Sequence, residues 1–162
     1  MSEPITVRLC AEADIPTLAS FEPHASARYA EQHFALQQAG DDYFYAVAFR
    51  GEEPLGTSVL DCRPGSLAPE LKSLWVYPHA RRQGVARALT RYLEVVAQQR
   101  DFPEVFLRVD PDNEAAIPMY ISLDYTPTGN HKKTAYEFVD DQGERQIRQG
   151  VHAVYRKSLR LL

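Results

Sequence analysis

Apolar and polar residues alternate through residues 5–10, with Val7 and Leu9 on one face, which is the period of a β-strand. Residues 11–20 read as a helix, with Pro16 near its start. Residues 25–39 read as a second helix ended by Gly40, its inward face made by Tyr29, His33 or Phe34, and Leu36. Asp41-Asp42 breaks the chain before residues 43–49, whose aromatic and branched side chains favour a strand. A turn signal at residues 50–53 returns the chain through a paired strand at 54–62. Arg63-Pro64-Gly65-Ser66 breaks it again before a strand at 70–77. The clearest helix covers 84–98, where Val85, Leu89, Tyr92 or Leu93, and Val96 form one apolar stripe. A strand at 104–109, a short helix at 114–123 and an extended segment from Tyr125 follow. Residues 134–139 and 151–159 are the last predicted strands, with Asp140-Asp141-Gln142-Gly143 as the turn near them. The order β-α-α-β-β-β-α-β-α-β-β implies an α/β or α+β sandwich, a mixed central β-sheet flanked by helices. No repeat or linker divides it, so residues 1–162 are expected to form one domain.

Composition narrows the partners more than the fold. Of 162 residues, 44% are hydrophobic and 25% charged, as in an ordinary soluble globular protein. The formal net charge of −4 argues against nucleic acid, which needs a clustered basic surface, and mildly favours a cationic substrate. Two cysteines, Cys10 and Cys62, are too few for a disulfide framework or a metal cluster, and both sit in strand-like segments that suit buried thiols. There is no basic segment followed by an apolar run at the N-terminus, and no stretch of membrane-spanning length. A reduced, cytoplasmic protein without a membrane partner or a metal is therefore expected.

The chemistry concentrates in residues 70–86. A strand is followed by a short basic turn and the start of the 84–98 helix. Gly84 lacks a Cβ and Ala86 has only a methyl, so a ligand can approach the backbone closely. The free N–H groups of the first helical turn favour an anion there. Arg81 and Arg82 oppose the helix dipole by about 0.3–1 kcal/mol each unless an anion binds between them, and a pyrophosphate would resolve that conflict.

This spacing resembles the acyl-CoA-binding signature of the GNAT superfamily of N-acetyltransferases, an apolar strand and Val-x-Pro followed by Gln/Arg-x-x-Gly-x-Gly/Ala. Val76 and Pro78 match the first part, and Arg81, Gly84 and Ala86 the second. A second GNAT signature, roughly Asn-x-x-Ala-x-x-x-Tyr-x-x-x-Gly-Phe, is matched by Asn113, Ala116 and Tyr120, with Tyr125 in place of Phe. Asp124 departs from the pattern where the family has Gly, a position that often needs the left-handed conformation. Pro118 implies a helix beginning around Glu114 or Ala115, with the proline in its first turn. The predicted element order also matches the GNAT fold over nearly the whole chain.

The resemblance implies acetyl-CoA as cosubstrate and direct acetyl transfer to a primary amine of a small molecule or peptide. It implies a CoA site made by Leu74, Trp75, Val76, Arg81, Arg82, Gln83, Gly84, Val85, Ala86 and Asn113, with the N–H of Leu74 or of Val76 on the thioester carbonyl. Glu70, eleven residues before Arg81, takes the place of a general base found in some members. A lysine-type ammonium at pKa about 10.4 and a free Glu at about 4.3 differ by about six units, so Glu70 must be raised by burial or act through water. The competing reading of Glu70 is an exposed carboxylate paired with Lys72. Tyr120 matches the tyrosine that the family places near the CoA sulfur; the competing reading is a core aromatic. His24 and His33 are candidate acceptor-pocket residues. The rival functions are a non-catalytic acyl-CoA-binding module and an acetyltransferase acting on a protein N-terminus or lysine. The long C-terminal strands are also suited to pairing across a homodimer.

Overall fold

The computed structural model describes residues 3–160. Seven strands form one sheet in the order β1-β2-β3-β4-β5-β7-β6. The strands are β1 (Ile5–Leu9), β2 (Tyr43–Arg50), β3 (Glu53–Asp61), β4 (Glu70–Val76), β5 (Glu104–Val109), β6 (Thr126–Val139) and β7 (Arg145–Ser158). The helices are α1 (Ile15–Ala19), α2 (Tyr29–Gln38), α3 (Val85–Gln99) and α4 (Ala116–Ser122). Neighbouring strands are antiparallel except β4 and β5, which run parallel.

The predicted order of elements is the observed one, with three differences in extent. The segment expected as a helix over 11–20 is a 3-10 turn at Glu12–Asp14 followed by the short α1. The second helix starts at Tyr29 rather than at residue 25, because Arg28 takes a left-handed φ of 56° that no continuing helix allows. Leu36, expected inside, is 37% exposed, while Phe34 packs inward. Both C-terminal strands are longer than predicted, and β6 is the outer edge strand.

Each face of the sheet has its own apolar core. On one face Val85, Leu89 and Leu93 of α3 are buried against Ala46, Leu55, Leu60, Leu71 and Leu107, with Tyr120 of α4 packed beside them. Full burial of such side chains contributes about 1.5–3 kcal/mol each, so this stripe anchors the α3 start that the site depends on. On the opposite face α1 and α2 cover Tyr43, Tyr45, Val47, Val59 and Tyr77. A buried polar network ties the first face together: Tyr125 Oη donates to Glu94 Oε2 at 2.7 Å, and Lys157 Nζ to Glu94 Oε1 at 2.9 Å. Burial and the Glu94 carboxylate hold the Tyr125 phenol far above its usual range.

Two backbone irregularities open the sheet at its centre. Ser73 has a φ of 56°, and the β3–β4 register slips between Thr57 and Val59, so β4 bulges there. A bulge bends its strand and increases its twist. On the other side, β4 pairs with β5 only at Glu70↔Phe106 and Leu71↔Leu107. Beyond Leu71 the two parallel strands part, which leaves the Leu74–Val76 part of β4 with β3 as its strand partner.

Candidate active site

The end of β4 runs through a 3-10 turn at Pro78–Ala80 into a basic loop and then α3. Arg82 and Gly84 both take left-handed φ values, 62° and 84°. Such alternation turns successive N–H groups toward one concavity, a geometry that suits anions. No side chain caps α3, and the first bond of the helix runs from the Ala88 N–H to the Gly84 carbonyl. The N–H groups at the helix start are thus left for a ligand. A Cβ built on Gly84 would meet nothing within 4 Å, so glycine is demanded by its φ while the approach to the backbone stays open. A pyrophosphate fits both features.

The residues of the loop divide by what their side chains do. Val85 is buried in the core, so only its backbone is offered to a ligand, and Ala86 is half-buried. Gln83 is turned to the protein: its Oε1 accepts from Arg50 Nη1 at 2.7 Å, and its Nε2 donates to the His79 carbonyl at 3.2 Å. His79 in turn meets Glu53 at 2.7 Å. This chain of contacts braces the loop from behind. Arg81 and Arg82 are exposed, and Arg81 Nε donates to the Val76 carbonyl at 3.2 Å. Leu74 and Val76 pack against the α3 face, whereas Trp75 is exposed.

Glu70 is 7% exposed, at the point where β4 and β5 are still paired. The surface pair with Lys72 is not formed. Arg108 of β5 grips the Glu70 carboxylate with both ends, Nε to Oε2 at 2.7 Å and Nη2 to Oε1 at 3.2 Å. Lys72 lies instead 2.6 Å from Asp61, which Arg63 also binds. Burial alone would raise the Asp61 carboxyl, but the hydrogen bonds from Arg63 and Lys72 outweigh it and hold the group well below the usual carboxylate range. Sequence spacing had no way to find Arg108, which reaches Glu70 only through the parallel β4–β5 pairing. Asp61 and Glu70 face each other across β3 and β4 and line a groove of about 310 Å³ with Arg63 and residues 64–67.

Tyr120 lies on the opposite face of the sheet, in α4, edge-on to Tyr125 with ring centroids 5.7 Å apart. Arg87 Nη2, in the first turn of α3, donates to Ser122 Oγ at 2.9 Å, so α4 docks beside the start of α3. Burial pushes the Tyr120 phenol up to about 12. Asn113 lies just before α4, its Oδ1 accepting from the Ala116 N–H at 3.1 Å. Asp124 takes the left-handed φ of 74° expected of the family's glycine. His33 is held by Tyr43 Oη at 2.7 Å and stacked on Tyr45, in the second core, while His24 lies against Gly143 at the β6–β7 turn. No cluster of metal-ligating side chains occurs among the described residues.

The profile of the acetyltransferase (GNAT) family matches residues 10–125, from the end of β1 through both signatures. The chain belongs to the GNAT acetyltransferase family. GNAT enzymes are acyltransferases that use acetyl-CoA as donor. Structural likeness spans more of this GNAT chain than the profile does. The ribosomal-protein-S18-alanine N-acetyltransferase of Escherichia coli superposes with a TM-score of 0.69 at 20% identity, covering 98% of this chain and 96% of that one. The ribosomal-protein-alanine N-acetyltransferase of Brucella melitensis gives 0.70 at 20% identity over 94% and 99% of the two chains. The PaiA N-acetyltransferase of Thermoplasma acidophilum, solved in complex with coenzyme A, gives 0.69 at 14% identity over 96% and 99%. At these identities the likeness establishes the fold. The mycothiol acetyltransferase of Jonesia denitrificans is 35% identical over 72 residues, 44% of this chain but only 23% of its own length. No helix among the described residues is long and apolar enough to cross a membrane.

Proposed function

We propose that this GNAT chain transfers the acetyl group of acetyl-CoA directly to a primary amine of a small molecule or peptide, within a ternary complex. The observation that carries the reading is the uncapped, glycine-opened start of α3 set beside the stretch of β4 that has parted from β5. Backbone groups of residues 82–86 hold the pyrophosphate, with Arg81 and Arg82 supplying charge. The freed edge of β4 at Leu74–Val76 runs alongside the pantetheine arm and offers an N–H, of Leu74 or Val76, to the thioester carbonyl.

Glu70 and Tyr120 lie on opposite faces of the opened sheet, which separates the amine side from the sulfur side. Glu70 takes the proton from the ammonium through a water, because both of its carboxylate oxygens are already held by Arg108. The amine nitrogen then forms the new C–N bond as the C–S bond breaks, the electron pair leaves on sulfur, and the proton still carried by the acylated nitrogen passes through water to the thiolate. For Tyr120 the energetics select a role. A phenol near 12 facing a thiolate near 8.5 would lose its proton at a cost of about 5 kcal/mol. Tyr120 therefore stabilises the departing thiolate by donating a hydrogen bond, and the proton stays on the phenol. Two free thiols suit a reducing, cytoplasmic setting.

The test is release of free thiol from acetyl-CoA across a panel of amines, polyamines, amino acids and peptides. Peptides with N-terminal alanine belong in it because of the names carried by the Escherichia coli and Brucella melitensis structures. A product whose formation falls at least about 10²-fold in Glu70→Gln and in Tyr120→Phe, with CoA binding retained, supports the reading. CoA binding without turnover on any amine would favour a binding module instead.

A further inference from the structure

Trp75 is the largest apolar side chain on β4 and is 51% exposed, although Leu74 and Val76 on either side pack against the α3 face. It projects from the other face, opposite Thr57 in the register. The Arg81 guanidinium lies over its ring, with Cζ 5.0 Å from the centroid. The same side chain is tied at Nε to the Val76 carbonyl at 3.2 Å. One cation–π contact and one hydrogen bond hold the guanidinium, and its two Nη groups find no acceptor among the described residues. An exposed arginine at this place is otherwise mobile and is pushed outward by the α3 dipole. The indole holds it in position at the loop.

We propose that Trp75 is a positioning residue for pyrophosphate recognition, its indole face pre-ordering Arg81 for the anion at the start of α3. The proposal rests on the acyl-CoA reading above and adds to it the side chain that organises Arg81. A cation–π contact at an exposed site corresponds to about a two- to fivefold change in affinity. Trp75→Ala is expected to weaken CoA binding by about that factor. Trp75→Phe, which keeps a ring face, retains most of the affinity. In an Arg81→Ala background the Trp75→Ala change has no further effect, because the two residues act as one unit.

The experiment is calorimetric titration of CoA into wild type, Trp75→Ala, Trp75→Phe, Arg81→Ala and the double variant. It is paired with emission from Trp75, the single tryptophan of the chain. Wild-type emission is expected to change as CoA binds, and Arg81→Ala to lose most of that change. Equal CoA affinity in wild type and Trp75→Ala overturns the proposal, as does an additive double variant, which would mark a general distortion of β4. An absence of CoA binding in wild type would overturn the acyl-CoA reading itself, a different failure from the other two.

Discussion

Gly56 sits in β3 directly behind the part of β4 that has left β5. A Cβ added there would lie 2.7 Å from the Trp75 carbonyl oxygen, 3.1 Å from Val76 Cα and 3.2 Å from Val85 Cγ1. Two of the three neighbours are backbone atoms, which cannot rotate aside as a side-chain tip can. Relief requires β4 to move by several tenths of an ångström, and overpacking of this kind costs about 1–3 kcal/mol. Replacing glycine also narrows the unfolded ensemble, an offset of about 0.4–1 kcal/mol. The net loss for Gly56→Ala is thus centred on about 1.3 kcal/mol, within limits of about 0 and 2.6. For a chain of this size the central value is a fall in Tm of about 3–5 °C. Gly65 is the control, since its Cβ would meet only the Arg63 carbonyl oxygen at 3.9 Å and its φ is not positive. Gly65→Ala should melt within about 2 °C of wild type. Calorimetric melting of the three proteins checks the stability term. The site term is read well below the melting range, because the atoms displaced belong to the stretch of β4 proposed to run beside the thioester. There kcat/KM with acetyl-CoA should fall by about tenfold or more. A Gly56→Ala variant that melts and turns over like wild type would refute the steric argument.

Other perturbations separate the parts of the account. Gly84→Ala forces a side chain into a φ of 84°, which costs about 1–2 kcal/mol, and calorimetry should show both a lower Tm and weaker CoA binding. Burial, with the charge of Lys72 second, lowers the His33 imidazole to about 4. The unfolded chain takes up that proton near pH 6.5. Stability from this residue is therefore present above pH 6.5 and lost as the pH falls toward about 4, and urea titrations across that window should show a shallower slope in His33→Asn. Tyr125→Phe removes the donor to Glu94 and leaves Lys157 as its remaining side-chain partner. Urea unfolding should report a loss of about 1–3 kcal/mol.

Much of this architecture is legible in the sequence where periodicity is strong. The α3 stripe at Val85, Leu89 and Leu93 and the apolar β2 are visible because burial on a fixed face repeats at a fixed spacing. The full extent of the C-terminal strands is not. Lys132, Lys133, Gln146 and Arg148 lie on strands with little cover, so no alternation marks where they begin. The second helix is overextended in the sequence reading because nothing about residues 25–28 announces the left-handed Arg28. At the site, Gly84 and the basic loop are readable from the residue types alone. The Ser73 bulge that opens β4 is not, since serine carries no signal of a positive φ. Long-range partners are equally hidden. Arg108 and Glu70 are 38 residues apart, and Arg50 and Gln83 are 33 apart.

The central claim is that the space between β4 and β5, closed by the start of α3, is the acyl-CoA site. A crystal structure with CoA bound tests it most directly. The account predicts the pyrophosphate on the N–H groups of residues 82–86, the pantetheine arm along Leu74–Val76, and the sulfur within hydrogen-bonding reach of Tyr120 Oη. CoA seated elsewhere, or a β4 that closes onto β5 in its presence, would contradict it.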